Sequence, residues 1–339
     1  MITQELFNKN LESILKAKPK KIAVAVSGGS DSLALTLLSS FWAKENNVEV
    51  VAITVDHNLR KNSAKEALLV NKWLQKYKIN HTILTYNGEI PTSNIEAVAR
   101  QYRYQMLFDY CKKNKIKYLF VAHNADEQRE TFFLNLSRGS GVYGLCGMQK
   151  IQQRNEITIV RPMLCFTKDE IKAYLKSLKQ KWVEDPSNKD NKYKRVRIRK
   201  LKKLIDTLEL SNERISNTLE NMKRARDAID FFVNDLIEKS IIESKNESLL
   251  LKAELFQTYP EEVVIRAIAK IFQNLSGKDY PPRFENLENI YTKIKDKSLT
   301  GSTLYNLKIS TKKNDTILIE KEKGKGKKTT GKKWFYNIN

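Results

Sequence analysis

The sequence predicts an α/β protein, with a doubly wound parallel sheet followed by a mainly helical C-terminal domain. From Lys21 onward, short β-branched runs alternate with longer amphipathic stretches, as in βα units stacked into one sheet. The runs are too apolar for a sheet wetted on one face. A glycine-containing turn joins the first run directly to a helical stretch.

The strand candidates are IAVAV (22–26), VEVVAITV (48–55), HTILTY (81–86) and KYLFVAH (117–123), with EITIVRP (156–162) as a fifth. Between them, helical patterns fall near 31–44, 63–78, 94–114 and 126–137. The sheet pattern ends near residue 182, and the loop EDPSNKDNKYK then leads into the basic run RVRIRKLKKLI. From Ser211 to about Phe272 the pattern is helical, with almost no Gly or Pro to interrupt it. After Pro281 and Pro282, one more helix precedes SLTGSTLYNLKIS and TILIEKE, read as a small β-hairpin joined by KKND. The expected organisation is a first domain over 1–205, a mainly helical domain over 211–320, and a basic, flexible tail over 321–339.

Length and composition narrow the functional classes. A chain of 339 residues suggests about two domains of roughly 150 residues each. No apolar run approaches the ~20 residues needed to cross a bilayer, so no membrane partner is expected. Lys and Arg number 61 against 39 Asp and Glu, a net charge of +22 that favours polyanionic partners. Cys111, Cys146 and Cys165 stand far apart without a CxxC pair, against a disulfide framework or a thiolate metal site. The N-terminus lacks a secretory h-region, so a reducing cytoplasm is the expected location.

After the first strand comes SGGSDS, Ser27 to Ser32. Gly28 and Gly29 let backbone N–H groups close around an anion, the following helix directs its positive end there, and Ser27, Ser30 and Ser32 supply further polar groups. Asp31 among these donors implies a bridging Mg²⁺. A Gly turn with Ser and Asp capping a helix would look the same, so the hexapeptide leaves the two readings even. No GxxxxGK[ST] occurs, and the GxGxxG at Gly139, Gly141 and Gly144 follows a helical stretch rather than a strand, which removes its meaning as a dinucleotide fingerprint. Asp56 and His57, and then His123, end further strands on the edge where doubly wound sheets bind ligands. His81 begins a strand and reads as structural.

SGGSDS resembles the PP-loop of the N-type ATP pyrophosphatases. VDHNLR (55–60), SNIEAVARQYRY (93–104), AHNADEQRET (122–131), SRGSGVYGLCGM (137–148), RPM (161–163) and EDPSN (184–188) follow in the order found in the tRNA(Ile)-lysidine synthase family, and the resemblance covers about residues 20–200. The resemblance implies ATP as substrate with Mg²⁺ at Asp31, and tRNA(Ile) with a CAU anticodon and free L-lysine as partners. Lysine would be joined to C2 of the wobble cytidine through an adenylated intermediate, changing the codon read from AUG to AUA. Asp31, Asp126 and Arg138 are the expected catalytic residues. Ser27, Gly28, Gly29, Ser30, Asp31, Ser32, Asp56, His57 and His123 would bind nucleotide, and Arg195, Arg197 and Arg199 would bind tRNA.

Two departures stand out. Where the family reads HHxDDQxET, Asn124 and Glu127 replace the second His and second Asp; where it reads RNRxR, Val196 replaces Asn. Arg100 and Arg103 divide evenly between a phosphate role and a solvated helix face. Glu96, Glu130 and Asp185 are the acidic candidates for selecting lysine. The oligomeric state stays open, a homodimer included. The alternatives are a tRNA thiolase, against which the unpaired cysteines argue, a small-metabolite ligase, and a noncatalytic RNA-binding protein.

Overall fold

The computed structural model describes residues 2–57, 63–86, 88, 95–154, 156–184, 197–198, 207, 209–245, 247–278 and 280–322. The chain forms two compact units, Met1–Asn221 and Met222–Asn339.

The first unit opens with α1 (Gln4–Ile14). Then come β1 (Lys21–Ala25), α2 (Ser30–Glu45), β2 (Glu49–Asp56), α3 (Ser63–Gln75), β3 (Asn80–Thr85), α4 (Ile95–Lys113) and β4 (Tyr118–Phe120). They continue into α5 (Ala125–Leu136), the short α6 (Val142–Leu145), β5 (Ile151–Arg154), β6 (Ile157–Val160) and α7 (Lys168–Ser177). The six strands form one sheet in the order β3-β2-β1-β4-β6-β5. All neighbours pair in parallel except β5, which lies antiparallel to β6.

Both sheet faces are covered, which is why the strands read as unbroken apolar runs. On β1, Ile22 and Val24 enter the core shared with Phe7 and Leu11 of α1, Leu35 and Trp42 of α2, and Ile171 and Leu175 of α7. Ala23, between them, faces the opposite core with Leu107 and Cys111 of α4. This period-2 alternation places helices on both sides of the sheet. The chain goes from β1 out to β2 and β3, then returns past β1 to β4. The switch in direction therefore falls between β1 and β4, where a crevice opens at the carboxyl ends of the strands.

Helix α8 (Asn212–Ser240) runs from the first unit into the second. Then follow β7 (Ile241–Lys245), β8 (Ser248–Lys252), α9 (Leu255–Thr258), α10 (Glu261–Ser276), α11 (Phe284–Lys295), β9 (Ser302–Leu304), β10 (Leu307–Lys312) and β11 (Thr316–Lys321). Two expectations are corrected here. The stretch 211–272 is not helical throughout, because an antiparallel β7–β8 pair interrupts it. The terminal hairpin, β10–β11, is also not a small isolated ribbon but the middle of a five-stranded sheet in the order β7-β8-β11-β10-β9. A lone two-stranded hairpin is marginal in water, and pairing β11 with β8 supplies the missing partner. Leu249 and Leu251, Ile309, and Ile317 and Ile319 turn one face of that sheet onto Val264, Ile268 and Phe272 of α10.

Candidate active site

At the switch point the chain leaves β1 through Val26, whose N–H still donates to Ile53 O at 2.9 Å, and enters the Ser27–Ser32 turn. Gly28 has φ +86°, and a Cβ there would lie 2.8 Å from Val70 Cγ2, so only glycine fits without strain. Its carbonyl accepts from Val183 N–H at 2.9 Å, and Gly29 begins α2 as its N-cap. The serine hydroxyls knit the turn. Ser32 Oγ accepts from Ser27 N–H at 3.1 Å and donates to Gly29 O at 3.1 Å, with Ser27 Oγ 3.2 Å away. Since the Ser32 proton goes to Gly29 O, Ser27 is the donor between the two hydroxyls. Ser30 is buried and sits 3.4 Å from Asp31 Oδ1.

This turn lines a cleft of about 410 Å³. The structure brings Ser27, Gly29, Asp31 and Ser32 together there with Asp56, His57 and His123. Arg100, Arg103 and Tyr104 of α4 join them, with the two guanidiniums 5.2 and 5.8 Å from the Tyr104 ring centre. Burial, and after it Arg103, lower the His57 pKa against the opposing pull of Asp56, which favours the neutral imidazole. Burial also lowers Arg103, and Arg100 adds to the effect. Arg100 and Arg103 offer guanidinium donors to an incoming anion, while Asp31, Asp56, Glu66 and Glu127 line the same cleft.

Asp31, in the first turn of α2, faces Lys168 Nζ at 3.3 Å. Sequence reasoning missed Lys168, which lies far along the chain and carries no local signal. It is the first residue of α7, whose N-cap Thr167 forms a capping box with Glu170. Asp126 does not line the cleft. Its Oδ2 accepts the Lys168 backbone N–H at 2.7 Å and its Oδ1 lies 3.5 Å from Arg129, so it ties the starts of α5 and α7 together. Glu127 does line the cleft, and it closes a second capping box with Asn124, accepting from Asn124 N–H at 3.3 Å. A glutamate at this third helical position completes that box, which accounts for the residue now standing there.

Arg138 is exposed in the turn after α5, outside the cleft. The segment behind it is pinned. Gln128 donates to Met148 O at 2.9 Å and accepts from Met148 N–H at 2.7 Å, and Asn135 donates to Gly144 O at 2.7 Å. Arg161, buried after β6, is a second residue to which sequence gave no role, although it lies in the RPM motif. Arg197 is exposed. Arg195, Arg199 and Asp185 lie outside the described residues, as do the side chain of Glu96 and residues 323–339 of the expected tail. Glu130 is buried in α5.

Mg²⁺ prefers oxygen ligands, keeps several waters, and is commonly held by one or two carboxylates plus substrate phosphates. Among the described residues no group of three or more His, Cys, Asp or Glu could hold a metal alone. Asp31 beside an anion-accepting turn fits the shared mode. No helix among the described residues is long and apolar enough to cross a membrane.

A Gly-rich turn feeding a helix at the switch point of a parallel sheet is the architecture of a PP-loop protein, and residues 3–207 match the PP-loop domain family. The "tRNA(Ile)-lysidine synthase" of Wolbachia pipientis wMel is 38% identical over 94% of this chain and 74% of its own length. That of Wolbachia sp. subsp. Brugia malayi (strain TRS) is 35% identical over 90% and 71%. The chain belongs to the tRNA(Ile)-lysidine synthase family. Among solved structures, the U34-tRNA thiolase NcsA from Methanococcus maripaludis shares the fold, with TM-score 0.56 and 19% identity over 64% of this chain and 78% of its own.

Proposed function

We propose that this chain joins free lysine to C2 of the wobble cytidine in the CAU anticodon of tRNA(Ile), cleaving ATP to AMP and pyrophosphate. The observation that supports it most is a PP-loop turn opening into a cleft to which α4 contributes Arg100 and Arg103, in a chain whose relatives are lysidine synthases over most of its length. The cytosine C2 oxygen attacks the α-phosphorus and pyrophosphate leaves. The lysine ε-amine then adds at C2, and the C2–O bond breaks as AMP departs with that oxygen. Adenylation comes first because an amine attacks a urea-like carbonyl poorly.

In this reading the backbone N–H groups of Gly29 to Ser32 and the positive end of α2 receive the departing pyrophosphate. Arg100 and Arg103 steady the charge that develops on it. Mg²⁺, held by Asp31 with phosphate oxygens, would neutralise part of that charge when bound. The +22 balance draws in tRNA, with Arg138, Arg195, Arg197 and Arg199 contacting its phosphates. A single-stranded anticodon base reaches such a cleft at an unstacking cost of a few kcal/mol.

Pyrophosphate release from ATP with defined additions tests the proposal. Turnover should require both tRNA(Ile) and lysine. Release with tRNA and a sulfur donor, or with tRNA and no amine, would favour a different PP-loop chemistry.

A further inference from the structure

Behind the cleft, Arg161 is buried and held on three sides. Its Nε–H donates to His123 Nδ1 at 3.3 Å, Nη1–H to Gln149 O at 2.8 Å, and Nη2–H to Gln152 Oε1 at 2.8 Å. We propose that Arg161 is a positioning residue that fixes His123 as a neutral imidazole protonated on Nε2, so that His123 acts in the cleft as a hydrogen-bond donor and not as a base.

A guanidinium has donors only. The His123 nitrogen it meets must therefore offer a lone pair, and the single proton of the neutral ring then resides on the other nitrogen. The fixed positive charge at Nδ1 also opposes a second proton on the ring. Anchored by Gln149 and Gln152, Arg161 cannot turn away to let the tautomer change. The usual arrangement, a carboxylate behind the imidazole, would do the reverse and raise its basicity. The other charged groups lining the cleft are Asp31 of α2, Asp56 of β2, Glu66 of α3, Arg100 and Arg103 of α4, and Glu127 of α5. Nδ1 itself accepts from Arg161 Nε–H.

Taken with the activity proposed above, on which this part rests, His123 Nε2–H is suited to an oxygen that gains negative charge as ATP is cleaved. It follows that the proton leaving the lysine amine is taken by another group.

The tautomer can be read in the whole protein without substrate. The chain has three histidines, His57, His81 and His123, so imidazole ¹⁵N spectra of uniformly His-labelled protein contain six ring nitrogens, and His123→Gln assigns its pair. The expected result is a pyridine-like Nδ1 and a protonated Nε2 for His123 at neutral pH. A proton on Nδ1, or on both nitrogens at neutral pH, would overturn the proposal.

Kinetics supply the second arm. Arg161→Met should lower kcat on the order of 10- to 100-fold, with Arg161→Lys intermediate. In a His123→Gln background, where the side-chain amide has no tautomer to set, Arg161→Met should cost less than about threefold. Equal losses in both backgrounds would mean that Arg161 merely supports the fold. If Arg161→Met fails to fold, the wild-type spectrum decides alone. If the protein shows no tRNA- and lysine-dependent turnover, the kinetic arm falls with the proposed function while the spectrum still judges the tautomer.

Discussion

Asp31 carries much of the proposed chemistry of the cleft. It stands in the first turn of α2 and faces Lys168 across 3.3 Å, and in the proposed function it shares a cation with pyrophosphate. Asp31→Ala should reduce pyrophosphate formation at least about a hundred-fold while leaving tRNA retention on filters unchanged. Activity surviving that change would place the metal elsewhere. His81, by contrast, is structural, and its reach to the active turn is indirect. Thr54 Oγ1 donates to Val26 O at 2.8 Å, so it must accept from His81 Nε2–H, also 2.8 Å away. Burial pushes the His81 pKa down to about 4. A folded-state value below the ordinary 6.5 means the unfolded chain binds the proton more readily. The stabilisation is therefore complete above about pH 6.5 and is lost progressively as pH falls toward about 4. Denaturant titrations should show wild type losing stability across that window relative to His81→Gln. A constant difference between the two proteins would refute the assignment.

Among the elements, the strands of the first sheet were legible because burial on both faces leaves them apolar and β-branched. What escaped was short or conditional. Strand β5 is an antiparallel edge reading IQQR, with three of its four residues polar, and α1 and α7 lie outside the βα rhythm of the sheet. The β7–β8 pair reads as helix in the sequence because an apolar run as short as SLLLK fits either period, and its turn carries no Asn-Gly or Asp-Gly signal. The segment after α5 shows another limit. The residue types of SRGSGVYGLCGM suggest a loop, yet what holds it is the paired hydrogen bond of Gln128 to Met148, between residues twenty positions apart. Gly147 is tight for the same reason, since a Cβ would come within 2.9 Å of Gln128 Oε1. Gln128→Ala should free this segment and with it Arg138, raising KM for tRNA about tenfold and lowering stability by about 1–3 kcal/mol. Gln128→Glu, which keeps the acceptor but loses the donor, should fall between. An unchanged KM would show that the segment does not meet tRNA.

For the whole molecule, the candidate site was readable to the extent that its residues end strands or form a turn. Ser27, Gly29, Asp31, Ser32, Asp56, His57 and His123 lie far apart in sequence and line one cleft because a doubly wound sheet gathers strand ends on one edge. Lys168 and Arg161 were not readable, because their partners are set by tertiary packing and not by any local pattern. The proposed attack by the cytosine oxygen can be followed with an oxygen label. A tRNA(Ile) carrying ¹⁸O at the C2 carbonyl of its wobble cytidine, incubated with the protein, ATP and lysine, should yield a nucleoside enlarged by one lysine less water and AMP that carries the ¹⁸O. Label remaining in the nucleoside, or AMP without it, would contradict attack by the cytosine oxygen and with it this account of the cleft.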